Sequence, residues 1–144
     1  MVDLGAGHGA LTAPLVAAGA RVLAVELDGR AARELRERFA GEPAVTVVEE
    51  DLLTVRLPVR PFRVVANLPF ATTSDAMRRL LHPRSALLRA DVVLQRSAAR
   101  RWAEAGGRAF AVHIDSHIHR RAFEPPPKVD AAVLVARRVG GRRS

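Results

Sequence analysis

The chain has 144 residues and no cysteine, enough for one domain with a core of its own and incompatible with a disulfide scaffold or a thiolate zinc site. Hydrophobic residues make up 49% and charged residues 26%, which excludes wholesale disorder; no apolar run approaches the ~20 residues of a membrane span. The start, Met1-Val2-Asp3-Leu4-Gly5, lacks the basic flank and apolar stretch of a secretory signal, so a soluble cytoplasmic protein is expected. In chain order, apolar Val2–Leu4 reads as a strand running into Gly5, Gly7 and Gly9. Leu11, Leu15 and Val16 recur at helical spacing, with Pro14 tolerable only in the first turn and Gly19 as the stop. Residues 21–27 are nearly all apolar, as in a strand buried on both faces. Residues 29–40 are helical, with Leu35 and Phe39 on one face. Short strands follow at 45–48 and 62–66, the latter ending at Asn67-Leu68-Pro69-Phe70. Thr73 or Ser74 caps a helix to about residue 81. Residues 90–94 form a strand, 97–104 a helix, and 109–114 and 131–137 late strands. Pro125-Pro126-Pro127 between the last two fits neither helix nor central strand.

Alternating strands and helices predict an α/β fold, a mostly parallel sheet with helices on both faces. Such sheets bind ligands at the carboxyl ends of their strands, so the residues there carry the functional signal. After the first strand, three glycines at alternate positions let the backbone approach a ligand closely and lead into a helix N-terminus. Gly5-x-Gly7-x-x-Ala10 also matches the dinucleotide fingerprint, and the loop by itself leaves that reading open. It lacks the Gly-Lys-Ser/Thr ending of a P-loop, which argues against an NTPase. After the second strand stands Glu26, able to accept both hydroxyls of a ribose or, more plainly, a solvated acid in a first helical turn. After the third come Glu49, Glu50 and Asp51, where a carboxylate could take the amino group of an adenine. Together these ends describe a pocket for an adenosine. After the fourth, Pro69 restricts Leu68 to extended backbone and fixes its carbonyl. With the Asn67 amide and the Phe70 ring, that set suits a planar base bearing an exocyclic amine; a capping Asn beside a core Phe is the plainer alternative.

The charge is uneven. Residues 1–75 carry a net charge of −2 and residues 76–144 a net +10, and Lys128 is the sole lysine. Arginine forks match phosphate oxygens in pairs, and a basic face attracts nucleic acid; a compositional bias toward arginine is the plainer account.

Asp3-x-Gly5-x-Gly7-x-Gly9 followed by the ribose acid resembles motif I of class I S-adenosylmethionine-dependent methyltransferases. Asn67-Leu68-Pro69-Phe70 is similar to the signature of the ribosomal RNA adenine N6-methyltransferases. That family comprises the small-subunit dimethyladenosine transferases and the erythromycin-resistance methylases of large-subunit rRNA. Gln95-Arg96-Ser97-Ala98-Ala99-Arg100-Arg101-Trp102 resembles its Gln-x-x-x-Ala-x-Arg helix start. The segment from Phe123 to Val133 resembles its Phe-x-Pro-x-Pro-x-Val-Asp-x-Ala-Val stretch. Phe70 in place of Tyr, with Ala-Arg-Arg-Trp, leans toward the erythromycin-resistance branch.

The resemblance implies a Rossmann-like class I fold with a mostly parallel sheet and an antiparallel last strand. It implies a catalytic domain over residues 1–138, incomplete at its amino end, and a basic tail over 139–144. S-adenosylmethionine is the implied cofactor. Asp3, Gly5, Gly7 and Gly9 would lie along its methionine part, Glu26 and Leu27 at the ribose and adenine, Asp51 and Leu52 at the adenine amino group. Asn67, beside the cofactor, would hold the target base with Leu68, Pro69 and Phe70. Arg78, Arg79, Arg96, Arg100, Arg101, Arg120, Arg121 and Phe123 would contact RNA. The implied activity is methylation of adenine N6 in rRNA, 23S of the macrolide-lincosamide-streptogramin resistance type, by a monomer without metal or membrane. A small-subunit dimethyladenosine transferase and a truncated, non-catalytic RNA-binding relic are the alternatives. Family members begin well before motif I and carry a helical domain after the last strand; here two residues precede Asp3 and the sequence ends at Gly140–Ser144. A nicotinamide dehydrogenase would share Gly5, Gly7 and Glu26 but has no use for Asn67–Phe70.

Overall fold

The computed structural model describes residues 1–140; most of the expected basic tail, residues 141–144, lies outside the described residues. Seven strands and four α-helices follow one another as β1 (Val2–Leu4), α1 (Thr12–Ala17), β2 (Val22–Val25), α2 (Gly29–Arg38), β3 (Val45–Val48), β4 (Phe62–Asn67), α3 (Thr73–Leu80), β5 (Leu87–Gln95), α4 (Arg96–Ala105), β6 (Phe110–Ile118) and β7 (Ala131–Arg138). They form one sheet in the order β3-β2-β1-β4-β5-β7-β6. All neighbours are parallel except β7, which runs antiparallel to both β5 and β6. This is the mostly parallel sheet with an antiparallel last strand expected from the sequence.

The strand order reverses between β1 and β4. From β1 the chain builds outward to β2 and β3, then returns to place β4 on the other side. Adjacent connections therefore diverge at this point and leave a crevice beyond the carboxyl ends of β1 and β4. Both the glycine loop and Asn67-Leu68-Pro69-Phe70 open into that region. β1 has three residues, all buried, and is paired along its whole length to β2 and β4.

Packing on the two faces is unequal. Phe62, Val64 and Ala66 of β4, with Ala90, Val92 and Leu94 of β5 and Leu134 of β7, meet Ala76, Met77 and Leu80 of α3 and Ala98 and Ala99 of α4 in the main core. Burying each large side chain there contributes roughly 1.5–3 kcal/mol. The opposite face holds a small cluster in which Leu35 of α2 packs on Ala6 and Ala24. The alternation along β4 creates this division: buried positions 62, 64 and 66 face α3, while Arg63 and Asn67 face out.

Three strands differ from the sequence reading by more than one residue at an end. β2 spans Val22–Val25 rather than 21–27, because after Val25 the chain turns: the Asp28 amide donates to Glu26 Oε2 at 2.9 Å, and Asp28 in turn caps α2 through the Ala31 amide at 3.2 Å. β5 is longer than 90–94, since partners on both sides extend its ladder. β6 continues past Ile114 to Ile118 through a register shift between Ile114 and Ser116, where an extra residue is absorbed as a bulge.

Candidate active site

At the carboxyl end of β1 the chain needs left-handed backbone, and glycine supplies it: Gly5, Gly7 and Gly9 all have positive φ. The Gly5 and Ala6 amides donate to the Val25 carbonyl, clipping the loop to the end of β2. Glu26 completes the link, since its Oε1 accepts from the Gly7 amide at 2.8 Å. With the Asp28 amide on Oε2, each carboxylate oxygen holds one backbone N–H and keeps a further lone pair for a ligand.

The three glycines do different work. A side chain on Gly7 would meet open space, so nothing in the fold covers its backbone on that side. A first side-chain carbon on Gly5 would lie 3.8 Å from the Asn67 carbonyl oxygen and 3.9 Å from Leu52. Gly9 departs from the expectation that it lines the crevice. It is buried against α2, where a side-chain carbon would come within 2.9 Å of Phe39 and 3.2 Å of Leu35. Its missing side chain lets loop and helix touch. Two further contacts hold this loop that sequence reading missed: His8 Nδ1 lies 2.9 Å from Glu34 Oε2, and Arg38 Nη1 donates to the His8 carbonyl at 2.6 Å.

Asp3 is buried at 1% exposure on β1. Its Oδ2 accepts from the Thr12 hydroxyl at 2.6 Å, while its Oδ1 finds no donor among the described residues. Burial pushes its carboxyl above the ordinary Asp range; the Thr12 bond opposes this and nearby Glu26 adds to it. Asp51 is half-buried, and its Oδ1 accepts from the Leu53 amide at 2.9 Å, forming an Asx turn that fixes the start of this loop. Leu27 stands 61% exposed beside the crevice, an apolar flank with nothing against it. A buried orphan oxygen, two half-satisfied carboxylates and an uncovered leucine fit the donors and flat ring of S-adenosylmethionine.

Asn67 ends β4, and the Leu68 amide is anchored to the Val93 carbonyl at 3.2 Å. The Pro69 carbonyl accepts from the Thr72 amide and from the Thr72 and Thr73 hydroxyls, which locks the turn into α3. The Leu68 carbonyl accepts no hydrogen bond among the described residues, and Phe70 is 67% exposed. Asn67 and Leu68 share a cavity of about 320 Å³ with Gln95, Phe123, Glu124 and Pro125. Phe123, 56 positions on in sequence from Asn67, thus becomes a wall of the same cavity. A larger cavity of about 450 Å³, lined by Pro58, Val59 and His82 among others, lies at the amino ends of β4 and β5, the wrong end of a parallel sheet for such a ligand.

Sequence reading also missed the residue that assembles this side. Asp130 Oδ1 accepts from the Arg120 amide at 2.8 Å, and its carbonyl accepts from the Arg96 amide at 3.0 Å. One residue so joins the start of β7, the start of α4 and the single helical turn at Arg120–Ala122 that precedes Phe123. The Arg120 amide holds the Asp130 carboxyl below its ordinary range. Arg96, Arg100 and Arg101 on α4 and Arg120 and Arg121 on the turn are exposed around this junction. Arg78 is exposed and pairs with Asp75 at 3.3 Å. Arg79 departs from its expected part in a nucleic-acid surface. It donates to the Leu52 carbonyl at 3.0 Å and to the Val55 carbonyl, fixing the loop that carries Asp51.

Residues 1–139 match the ribosomal RNA adenine dimethylase family. The chain belongs to that family. It is 38% identical over 149 residues to an rRNA adenine N-6-methyltransferase of Corynebacterium diphtheriae, covering 97% of this chain and 58% of the relative. It is also 38% identical over 151 residues to a ribosomal RNA small subunit methyltransferase A of Acidobacterium capsulatum, covering 93% of this chain and 53% of that protein. Among solved structures, the 23S rRNA methyltransferase ErmE superposes with a TM-score of 0.87 at 33% identity, covering 96% of this chain and 61% of that one. The fold is accordingly that of the class I S-adenosylmethionine-dependent methyltransferases. The chain spans little more than half the length of these relatives. Among the described residues no helix is long and apolar enough to cross a membrane, and no three His, Cys, Asp or Glu side chains cluster as a metal ion would need.

Proposed function

We propose that the chain, with residues 1–138 as its catalytic domain, binds S-adenosylmethionine and methylates N6 of an adenine in ribosomal RNA. The observation that carries this reading is the adjacency of two stations: the Asn67 carbonyl lies against the Gly5 backbone, so a base held at Asn67 would sit beside a ligand held by the glycine loop. Likeness to ErmE and Phe70 in the turn favour 23S rRNA as the target, of the resistance type; work as a monomer in the cytoplasm goes with that reading. The small-subunit relative supports 16S-type rRNA as the second reading.

Bound S-adenosylmethionine supplies an electrophilic methyl group on a sulfonium. Asp3 and Glu26 would orient it through the lone pairs described above, and Asp51 would take the amino group of its adenine. On the acceptor side, the amine of the target adenine is a poor nucleophile because its lone pair is delocalised into the ring. The Asn67 amide oxygen and the Leu68 carbonyl would each accept one N6 hydrogen, favouring a pyramidal nitrogen with its lone pair free. The exposed face of Phe70 and the ring of Phe123 would stack on the base and ease positive charge growing on it. Most of the acceleration comes from holding the two reactants aligned. The base must first leave its stack, which suits an open cavity lined by aromatic and proline surfaces.

The test is transfer of tritiated methyl groups from S-adenosylmethionine to ribosomal RNA, followed by digestion to nucleosides. Label in N6-methylated adenosine is the expected result, and label in any other nucleoside overturns the assignment. Titration calorimetry separates the remaining readings: a relic binds RNA but not S-adenosylmethionine, and a dehydrogenase binds NAD.

A further inference from the structure

We infer that Gln95 reads the target base, its side-chain amide donating to the ring nitrogen beside N6 and setting adenine apart from guanine and uracil. This rests on the base-site reading given above and goes beyond it by assigning the residue that recognises the ring. Gln95 is the last residue of β5, next to β4 in the sheet; Asn67 registers with Val93, so Gln95 lies one pleat further along the same face. Both line the cavity that holds the Leu68 carbonyl and Phe123. Gln95 is half-buried, and its amide makes no hydrogen bond among the described residues. A primary amide at the wall of a cavity, with no protein partner among the described residues, is free to meet a ligand there.

Its backbone is fixed on both sides. Gln95 pairs with Ala131 of β7, and the following amide, that of Arg96, is held by the Asp130 carbonyl. The side chain therefore starts from a set position. Three lining residues carry polar side chains: Asn67, Gln95 and Glu124. Glu124 ionised can only accept. With the Asn67 oxygen and the Leu68 carbonyl engaged by the two N6 hydrogens, the ring nitrogen that flanks the amine still needs a donor, and the side-chain amides of Gln95 and Asn67 are the two that line the cavity. Primary amides make this contact with adenine through N6 and N7. Guanine and uracil each present an oxygen to the two acceptors in place of the amine, and each carries N–H where adenine has its bare N1, so two acceptors with a donor at that edge reject both.

The test uses the 144-residue chain saturated with S-adenosylhomocysteine and a uridine heptamer with one central adenosine. The central base is replaced in turn by 1-deazaadenine, by 7-deazaadenine and by an abasic position. In the parent, one of the two deaza bases weakens binding by roughly three- to tenfold, the range of a neutral hydrogen bond. Gln95→Met and Gln95→Ala bind the adenosine heptamer as weakly as the parent binds that deaza RNA, and they no longer distinguish the two. Unchanged affinity for S-adenosylhomocysteine confirms that the variants are folded. If neither deaza base matters in the parent, or if the loss persists undiminished in both variants, the role of Gln95 is overturned; in the second case Asn67 is the donor. If adenine binds no better than the abasic position in the parent, the base-site reading itself fails.

Discussion

On β1 and β2 the strands end in groups already held in place. The Glu26 carboxylate carries two backbone N–H groups, the glycine loop is clipped to Val25, and Asp3 is buried against Thr12. On β4 and β5 they end in groups left open. Asn67 and Phe70 are exposed, and among the described residues the Leu68 carbonyl is free and Gln95 makes no side-chain bond. The charge divides further along the chain, with net −2 up to residue 75, β4 included, and net +10 from residue 76, a part that takes in β5 and α4. A small ligand that must bind in one pose is served by a rigid, pre-formed cradle. A polymer whose base must be turned out of its stack is served by exposed faces and a basic surround. The difference predicts that the proposed binding of S-adenosylmethionine and of RNA can be uncoupled by mutation.

The sharpest break is a double dissociation. Asn67→Ala should lower methyl transfer by roughly a hundredfold or more, the scale of losing one transition-state hydrogen bond, and leave S-adenosylmethionine affinity within about twofold. Glu26→Ala should do the reverse at the binding level, weakening S-adenosylmethionine by about 1.5–3 kcal/mol as a hydrogen bond to a charged group is lost. It should leave RNA affinity unchanged. Calorimetry for the cofactor and a filter assay for RNA read the two axes separately. If both variants lose both ligands in proportion, the stations are not independent and the division of the sheet has no functional meaning.

On the open side, Phe70→Ala and Phe123→Ala should each cost roughly 1–3 kcal/mol of base stacking. Phe70→Tyr keeps the ring face and should keep activity. An RNA affinity indifferent to both alanine variants would remove the aromatic walls from the site.

The parts of this comparison that were legible in the sequence are those carried by local chemistry. Gly5–Gly9, Glu26 and Asn67–Phe70 each follow a strand, and strand ends in an α/β pattern are where ligands go. What was not legible depends on contacts between distant segments. Arg79 looks like any other arginine of the basic half, and only the fold turns it onto the Leu52 and Val55 carbonyls. Gly9 matches the loop motif, but the approach of Leu35 and Phe39 gives it a packing role. Asp130 sits in a proline-rich stretch where its bond to the Arg120 amide has no local signature. Thr12 likewise gives no hint in sequence that its hydroxyl is, among the described residues, the sole partner of a buried carboxylate.

The placement of the arginines sharpens the comparison further. Arg96, Arg100, Arg101, Arg120 and Arg121 surround the junction at Asp130, whereas Arg79 is tied inward. RNA affinity should fall with salt by about 0.7 log units per log unit of salt for each single-strand phosphate contact. Replacing Arg100 and Arg121 by Gln should lower that slope by about one contact each. Arg79→Gln should leave the slope alone and lower thermal stability instead, because two backbone carbonyls lose their donor. A reduced slope in Arg79→Gln would return that residue to the RNA surface.

The smallest expected effect tests whether the closed side holds strain in the absence of its ligand. Asp3 is buried with one oxygen unmatched, and its carboxyl is raised above the ordinary value of 3.8 mainly by desolvation. A raised carboxyl means that the ionised form is disfavoured in the folded chain relative to the unfolded one. This penalty is complete above the folded-state value, shrinks as pH falls through it, and is gone below the unfolded value, where both states are protonated. Asp3→Asn has no charge to desolvate and keeps an oxygen for the Thr12 hydroxyl. At pH 8 the variant should therefore unfold at a higher temperature than the parent, by on the order of 1 kcal/mol or about 3 °C. The gap should narrow steadily as the buffer is made more acidic. Saturating S-adenosylmethionine should also narrow it, because a ligand donor at Oδ1 relieves the parent alone. Melting curves over a pH series, with and without the cofactor, provide the measurement. A gap that does not change with pH would mean that the ionised carboxylate carries no penalty in the folded chain, and the cradle would then be relaxed rather than strained toward its ligand.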